Sequence, residues 1–177
     1  MALDSDLVRV AVTGAVYVAP TATAAPTTSS SALEAGFVDL GYVSADGIAE
    51  SIDRSTNQIR AWQNGSLVRE VTSEGTYSVS MTFIETSEAV LELYYGTTNT
   101  SGEFSIDPTS TGGRKSFVID VVDGATVERI YIPAGEITSL GERTLASGEA
   151  VGYEVTITAY ADAGSTTVTK WFSSLEA

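Results

Sequence analysis

Hydrophobic and polar residues alternate most cleanly from Thr76 to Glu85 (TYSVSMTFIE). Tyr77, Val79, Met81 and Phe83 fall on one face, and Ser78, Ser80 and Thr82 on the other, which predicts a half-buried strand. The period then changes. In TSEAVLELYYG, Val90, Leu91, Tyr94 and Tyr95 recur at helical spacing. Thr86 or Ser87 can cap the start, Glu85 and Glu88 suit the positive end of the dipole, and Gly96 is placed to end the helix.

Upstream, Leu7–Val18 (LVRVAVTGAVYV) reads as a continuously apolar strand interrupted at Gly14, buried on both faces or along most of one. Ala19–Ala35 is a stretch of small residues with two prolines, predicted to be an arm or loop. Phe37–Val43 is extended, and Asp46-Gly47 reads as a hairpin turn into a second extended piece, Ile48–Arg54. A polar excursion follows from Ser55 to Gly75, expected to protrude as a long hairpin tip.

Downstream, Thr97–Gly113 is predicted as a loop with a short extended piece at Phe104–Ile106. Lys115–Val122 and Thr126–Ile132 form a hairpin about Asp123-Gly124, and Pro133 marks a kink or an edge. Ala134–Ser139 continues extended, and Leu140–Gly148 is a connection. Glu149–Ala161 alternates again, with Tyr153, Val155, Ile157 and Ala159 against Glu154, Thr156, Thr158 and Tyr160. Asp162–Gly164 turns into a last strand, Ser165–Phe172. The sum is eight to nine antiparallel strands and one flanking α-helix: a mainly β chain, built as a β-sandwich or a curled sheet.

Composition narrows the chemistry. The 177 residues suffice for one domain with a core, so residues 1–177 are read as a single unit. Acidic residues outnumber basic ones 23 to 9, a net charge of −14 that opposes nucleic-acid binding. There is no cysteine, hence no disulfide and no thiolate metal site. There is no histidine either, which removes the commonest general base, the usual imidazole ligand and any Ser-His or Cys-His dyad. MALDSDLVRV has no signal-peptide pattern, and no apolar run approaches a membrane span. No cofactor is expected.

Thr111–Ser116 (TGGRKS) lacks the spacing of a phosphate loop and precedes a strand, so it reads as a basic turn. Asp46-Gly47 and Asp123-Gly124 lack the alternating ligands of a calcium loop.

The element order resembles the major tail (tail tube) proteins of siphovirus-type long-tailed bacteriophages. The resemblance runs from about Leu7 to Phe172 and is carried by DLGYVSADGIAES at Asp39–Ser51, the Ser55–Gly75 excursion, and ETSEAVLELYYG at Glu85–Gly96. It implies a structural, non-enzymatic virion protein whose hexameric rings stack into a tail tube, with the sheets of all subunits joined in one β-barrel. It also implies a tape-measure protein in the lumen, tail terminator and distal tail proteins at the ends, passage of double-stranded DNA without binding, and assembly in the host cytoplasm. The arm at 19–36 and the hairpin tip at 55–75 would reach neighbouring rings. No immunoglobulin-like addition is expected after Trp171 and Phe172.

On this reading the lumen-facing candidates are Ser51, Asp53, Ser78, Ser80, Thr82, Glu154, Thr156 and Thr158. The same faces are equally consistent with bulk solvent on a monomer. The contact candidates are Arg54, Arg60, Trp62, Asn64 and Arg69. Trp62 either anchors an interface or folds back over its own sheet edge, and the arginines either pair with carboxylates of the next ring or stay solvated. Three other classes compete: another tail protein such as a terminator or hub, a carbohydrate-binding β-sandwich using Trp62 and the tyrosines, and a carboxylate-based hydrolase. No carboxylate pair stands in a recognisable catalytic context.

Overall fold

The computed structural model describes residues 7–164 and 166–176. Among these residues eight strands form one antiparallel sheet with one helix packed against it. The strands are β1 (Thr13–Pro20), β2 (Val38–Asp39), β3 (Val43–Arg60), β4 (Leu67–Phe83), β5 (Lys115–Asp123), β6 (Thr126–Leu140), β7 (Tyr153–Tyr160) and β8 (Thr169–Phe172). The helix α1 spans Glu88–Tyr95. The sheet order is β2-β1-β5-β6-β7-β4-β3, with β8 on β6. The curled single sheet is therefore realised, not two packed sheets.

The edge strands β2 and β3 are consecutive pieces of chain joined through Leu40–Tyr42. The chain thus links the two edges of the sheet, but no ladder pairs them and the sheet stays open. Gly41, at φ 77°, makes the bend that takes the chain from β1 to β4, and its amide donates to Asp39 Oδ1 at 2.8 Å. A side chain there would be strained, because L-residues other than Gly avoid that region.

The core lies on one side of the sheet. Tyr77, Val79, Met81 and Phe83 of β4 meet Tyr153, Val155 and Ile157 of β7, Ile130, Ile132 and Ile137 of β6, and Phe117 and Ile119 of β5. The alternation of β4 and β7 places these residues together as expected. α1 closes this side with Val90, Leu93 and Tyr94; Leu93 replaces Leu91 in the expected apolar set, and Leu91 and Tyr95 are half-buried. Ser87 is the N-cap, accepting from the Val90 amide, and Gly96 ends the helix at φ 63°. The Tyr94 hydroxyl donates to Gly141 O at 3.0 Å, and its ring meets Tyr153 edge-on.

On the other side of β1, β5 and β6 lies the segment between β1 and β2. Arg129 of β6 reaches across this face. Its guanidinium makes a paired contact with Asp120 of β5 at 2.7 and 2.8 Å and donates to the carbonyls of Thr28 and Ser31. Ser29 is buried and bound to Glu176, so the segment, the sheet and the C-terminal tail meet at one place.

Several local expectations are corrected. Asp46-Gly47 is not a hairpin turn but a bulge inside β3. Val43 pairs with Phe83 and Ile48 with Met81, so both flanks follow the same partner strand, and Gly47 at φ 73° absorbs the extra residues. The polar excursion from Ser55 is itself ladder: β3 and β4 stay paired out to Arg60 and Leu67, and the turn is only 61–66. Leu7–Val12 is not buried strand; Leu7, Val8, Val10 and Val12 are exposed, since none of the described residues covers them. Phe104–Ile106 has no strand partner among the described residues, although Thr100 and Glu103 form a bridge.

β6 runs through Pro133 to Leu140. Pro133 sits where β6 changes neighbours, between Tyr131 paired to Thr169 of β8 and Ala134 paired to Tyr160 of β7. A residue without an amide hydrogen is tolerated there because no ladder requires it. The last strand is Thr169–Phe172, shorter than expected; Ser165 lies outside the described residues.

Candidate functional site

The surface with a definite pattern is the non-core face of β3, β4, β7 and the C-terminal part of β6. Directly paired residues of antiparallel strands point to the same face. Ser51 pairs with Ser78, Ser78 with Thr158, and Thr158 with Glu136, giving one row across four strands. Ala49, Ser80, Thr156 and Ser139 form a second row. Asp53–Thr76 and Thr82–Glu154 flank them. All eight residues expected to share a polar face, Ser51, Asp53, Ser78, Ser80, Thr82, Glu154, Thr156 and Thr158, are thus brought together.

The face is smooth because its side chains are short and bond laterally. Thr138 Oγ1 and Thr158 Oγ1 lie 2.7 Å apart, and the Ser51 hydroxyl donates to Asp53 Oδ2 at 3.1 Å. Its charge is acidic, from Asp53, Glu136 and Glu154. At its margin Arg114 stacks on Tyr160 at 4.4 Å and approaches Glu136 at 3.9 Å. Glu136, Thr138, Ala49 and Thr76 belong to the face but were not singled out from sequence. The register of the extended piece Ala134–Ser139 carried the signal for Glu136 and Thr138.

This four-stranded face has free edges on both sides. Among the described residues β3 pairs only with β4. β6 beyond Gly135 pairs only with β7, because β5 begins at Lys115 opposite Gly135. Along that edge an open cleft of about 240 Å³ separates Pro108–Thr111 from Ile137–Leu140.

The β3–β4 hairpin projects past the end of β7, which begins pairing with β4 at Tyr77–Ala159. Both faces of the projection are exposed, including Ile59, Leu67, Val68 and Val71. Trp62 is 96% exposed in the turn, so it does not fold back over the sheet. Asn64 (φ 58°) and Gly65 (φ 63°) are consecutive left-handed residues, so Asn64 serves the turn. Arg60 donates to Gln58 Oε1 at 2.7 Å and to Gly65 O, bracing the tip. Arg54 and Arg69 are exposed on the stem, and none of the three arginines joins an ion pair among the described residues.

At the hairpin base, Lys170 Nζ of β8 contacts Glu50 Oε2 of β3 at 2.5 Å and Glu128 Oε1 of β6 at 3.2 Å. The Tyr77 hydroxyl nearby is buried without a hydrogen-bond partner, and burial, then the Glu50 charge, pushes its pKa well up. Among the described residues no group of three or more His, Cys, Asp or Glu is placed to hold a metal ion. No described helix is long and apolar enough to cross a membrane.

The family model described as "Phage tail tube protein" matches residues 1–176. Among solved structures, the chain is similar to one in the sheath–tube complex of an extracellular contractile injection system in its extended state. That match has 8% identity and a TM-score of 0.51, covering 94% of this chain and 93% of the other. It is also similar to a chain of the tube-terminating cap of the anti-feeding prophage, with 13% identity and a TM-score of 0.49, covering 96% and 98%. The first of these likenesses shows a shared fold. Among curated protein sequences none matches.

Proposed function

The chain belongs to the phage tail tube protein family, and on that premise we propose that its copies join edge to edge into hexameric rings that stack as the conduit for DNA ejection. A structural role in the tail tube of a phage particle follows from the family itself. The ring, its symmetry and the use of its lumen are the proposal.

The observation that carries it is the pairing of one smooth acidic hydroxyl face with two unpaired strand edges, β3 on one side and Glu136–Leu140 of β6 on the other. An unpaired edge presents a row of amide and carbonyl groups that another strand can complete. Joining β3 of one copy to β6 of the next satisfies both edges and repeats the face around a closed barrel. The joint is heterologous, so it closes only if the rotation between copies divides a full turn. The lining is then Ser51, Asp53, Ser78, Ser80, Thr82, Glu154, Thr156 and Thr158, a wall without a cationic grip for phosphates.

In this reading residues 1–177 act as one tube domain, the 55–75 hairpin and the 19–36 segment meet neighbouring copies, and a tape-measure protein fills the lumen before ejection. Terminator and distal tail proteins close the ends, and assembly takes place in the host cytoplasm. The test is electron microscopy of the purified protein at high concentration and several salts. Hollow tubes or stacked rings are expected, while a monomer under all conditions would overturn the proposal.

A further inference from the structure

The hairpin tip and an open pocket at the start of α1 lie at opposite ends of β4. β4 runs from Leu67 at the tip, through its pairing with β7, to Phe83, and α1 starts just beyond. The pocket, about 690 Å³ and open to solvent, lies between the start of α1, the end of β1 and β2. Its apolar lining includes Val18, Pro20, Val38 and Ala89.

The charges of the two ends are complementary. From the Ile59–Arg69 rung outward the hairpin carries Arg60 and Arg69 and no carboxylate, while Arg54 lies further down the stem, where Glu70 and Glu74 offset it, in a chain of net charge −14. The pocket carries Asp39, Glu88 and Glu92. Each of these uses a single oxygen within the chain, toward Gly41, the Asn99 side chain and the Asn99 amide respectively, and keeps the other oxygen available. The pocket also has Arg114 and Lys115. Arg114 leans over Tyr160 toward Glu136, and three carboxylates against two cations leave the lining with a net charge of −1.

We propose that Trp62 of one copy inserts into this pocket of the copy stacked on it, with the hairpin arginines facing Asp39, Glu88 and Glu92. The occupant is a second copy of this chain. The tip of one molecule then meets the opposite end of the next, an arrangement that repeats without limit along an axis, as a stack requires. A fully exposed indole becomes the buried anchor in an apolar pocket with a polar rim, the arrangement in which few residues carry most of the binding energy. The inference rests on the stacking proposed above and names the receptor for the hairpin.

The chain lacks cysteine, so engineered cysteines report contact between copies directly. Gln63→Cys, which keeps the Trp62 indole, is combined with Ala89→Cys, and separately with Val38→Cys, oxidised mildly and run on denaturing gels. Both pairs are expected to give ladders beyond the dimer, while Gln63→Cys with Thr156→Cys on the hydroxyl face gives none. Trp62→Ala is expected to leave folding intact and to cut tube length at least tenfold, and Ala89→Trp, which fills the pocket, to do the same. If the unmodified protein forms tubes and neither ladder appears, the receptor assignment is overturned and the stacking stands. If the unmodified protein forms no assemblies, both fall together.

Discussion

Arg129 and Asp120 face each other across β6 and β5 with two parallel hydrogen bonds of 2.7 and 2.8 Å, both side chains largely out of solvent. The remaining guanidinium donor goes to the carbonyls of Thr28 and Ser31. One side chain therefore anchors the irregular segment after β1 to the sheet. The Asp120 partnership holds the Arg129 pKa above its ordinary value, with burial acting against it. Arg129→Met strands Asp120 without a counter-charge and should cost about 3–5 kcal/mol. Denaturant unfolding measures this, and limited proteolysis should cut near Thr28–Ser31 in the variant first.

Gly41 and Gly47 both hold positive φ, at 77° and 73°. A Cβ on Gly41 would run into the Glu85 carboxylate, whereas a Cβ on Gly47 meets open space. Gly47→Ala should lose about 1–2 kcal/mol from backbone conformation alone. Gly41→Ala should lose more, because Glu85 must also give up its contact with the Tyr42 amide. Thermal unfolding of the two variants side by side separates the contact from the conformation.

The Glu176 carboxylate accepts from the Ser29 amide and hydroxyl, both at 2.7 Å, and these bonds hold its pKa below the usual value of 4.5. A depressed carboxyl contributes stability above its unfolded pKa and loses it as pH falls through the folded one. The tail should therefore stay docked at neutral pH and release in acid, below about pH 4.5. Hydrogen exchange of the Ser29 amide, corrected for its intrinsic pH dependence, should accelerate in acid. Glu176→Gln should remove that pH dependence.

The hydroxyl face contributes little to the fold of one chain. Ser78→Arg with Thr156→Arg should leave unfolding free energy within about 0.5 kcal/mol per site. In assembled particles the same pair adds two cations per copy to the proposed lumen, where phosphates pass. Particle assembly is expected to persist while DNA release slows, read by dye uptake of ejected DNA on triggering. Unimpaired release would remove Ser78 and Thr156 from the lining.

Where the sequence had strict period two, the fold was readable. β4 and β7 carry their core and polar faces as their alternation demands, and the caps of α1 stand at Ser87 and Gly96. Their joint face was legible for the same reason, since register follows from which side must be buried. The bulge at Asp46-Gly47 was not legible, because the same dipeptide serves a hairpin turn and a bulge. Only the continuation of pairing from Phe83 to Met81 distinguishes them. The ladder within Ser55–Gly75 was hidden because it buries nothing in one chain and so shows no apolar face. Leu7–Val12 misled in the opposite sense, apolar by composition yet uncovered in the single molecule. The pocket between α1 and β1 joins residues as distant as Val18 and Lys115, and no local pattern announces it.

The central claim concerns two edges, β3 and Glu136–Leu140 of β6, completed by neighbouring copies. A cryo-electron microscopy map of the assembled protein measures it. The account predicts β3 of each copy hydrogen-bonded to β6 of the next, with Ser51, Ser78 and Thr158 lining a central channel. A map in which those edges stay unpaired, or in which the hydroxyl face points outward, would contradict it.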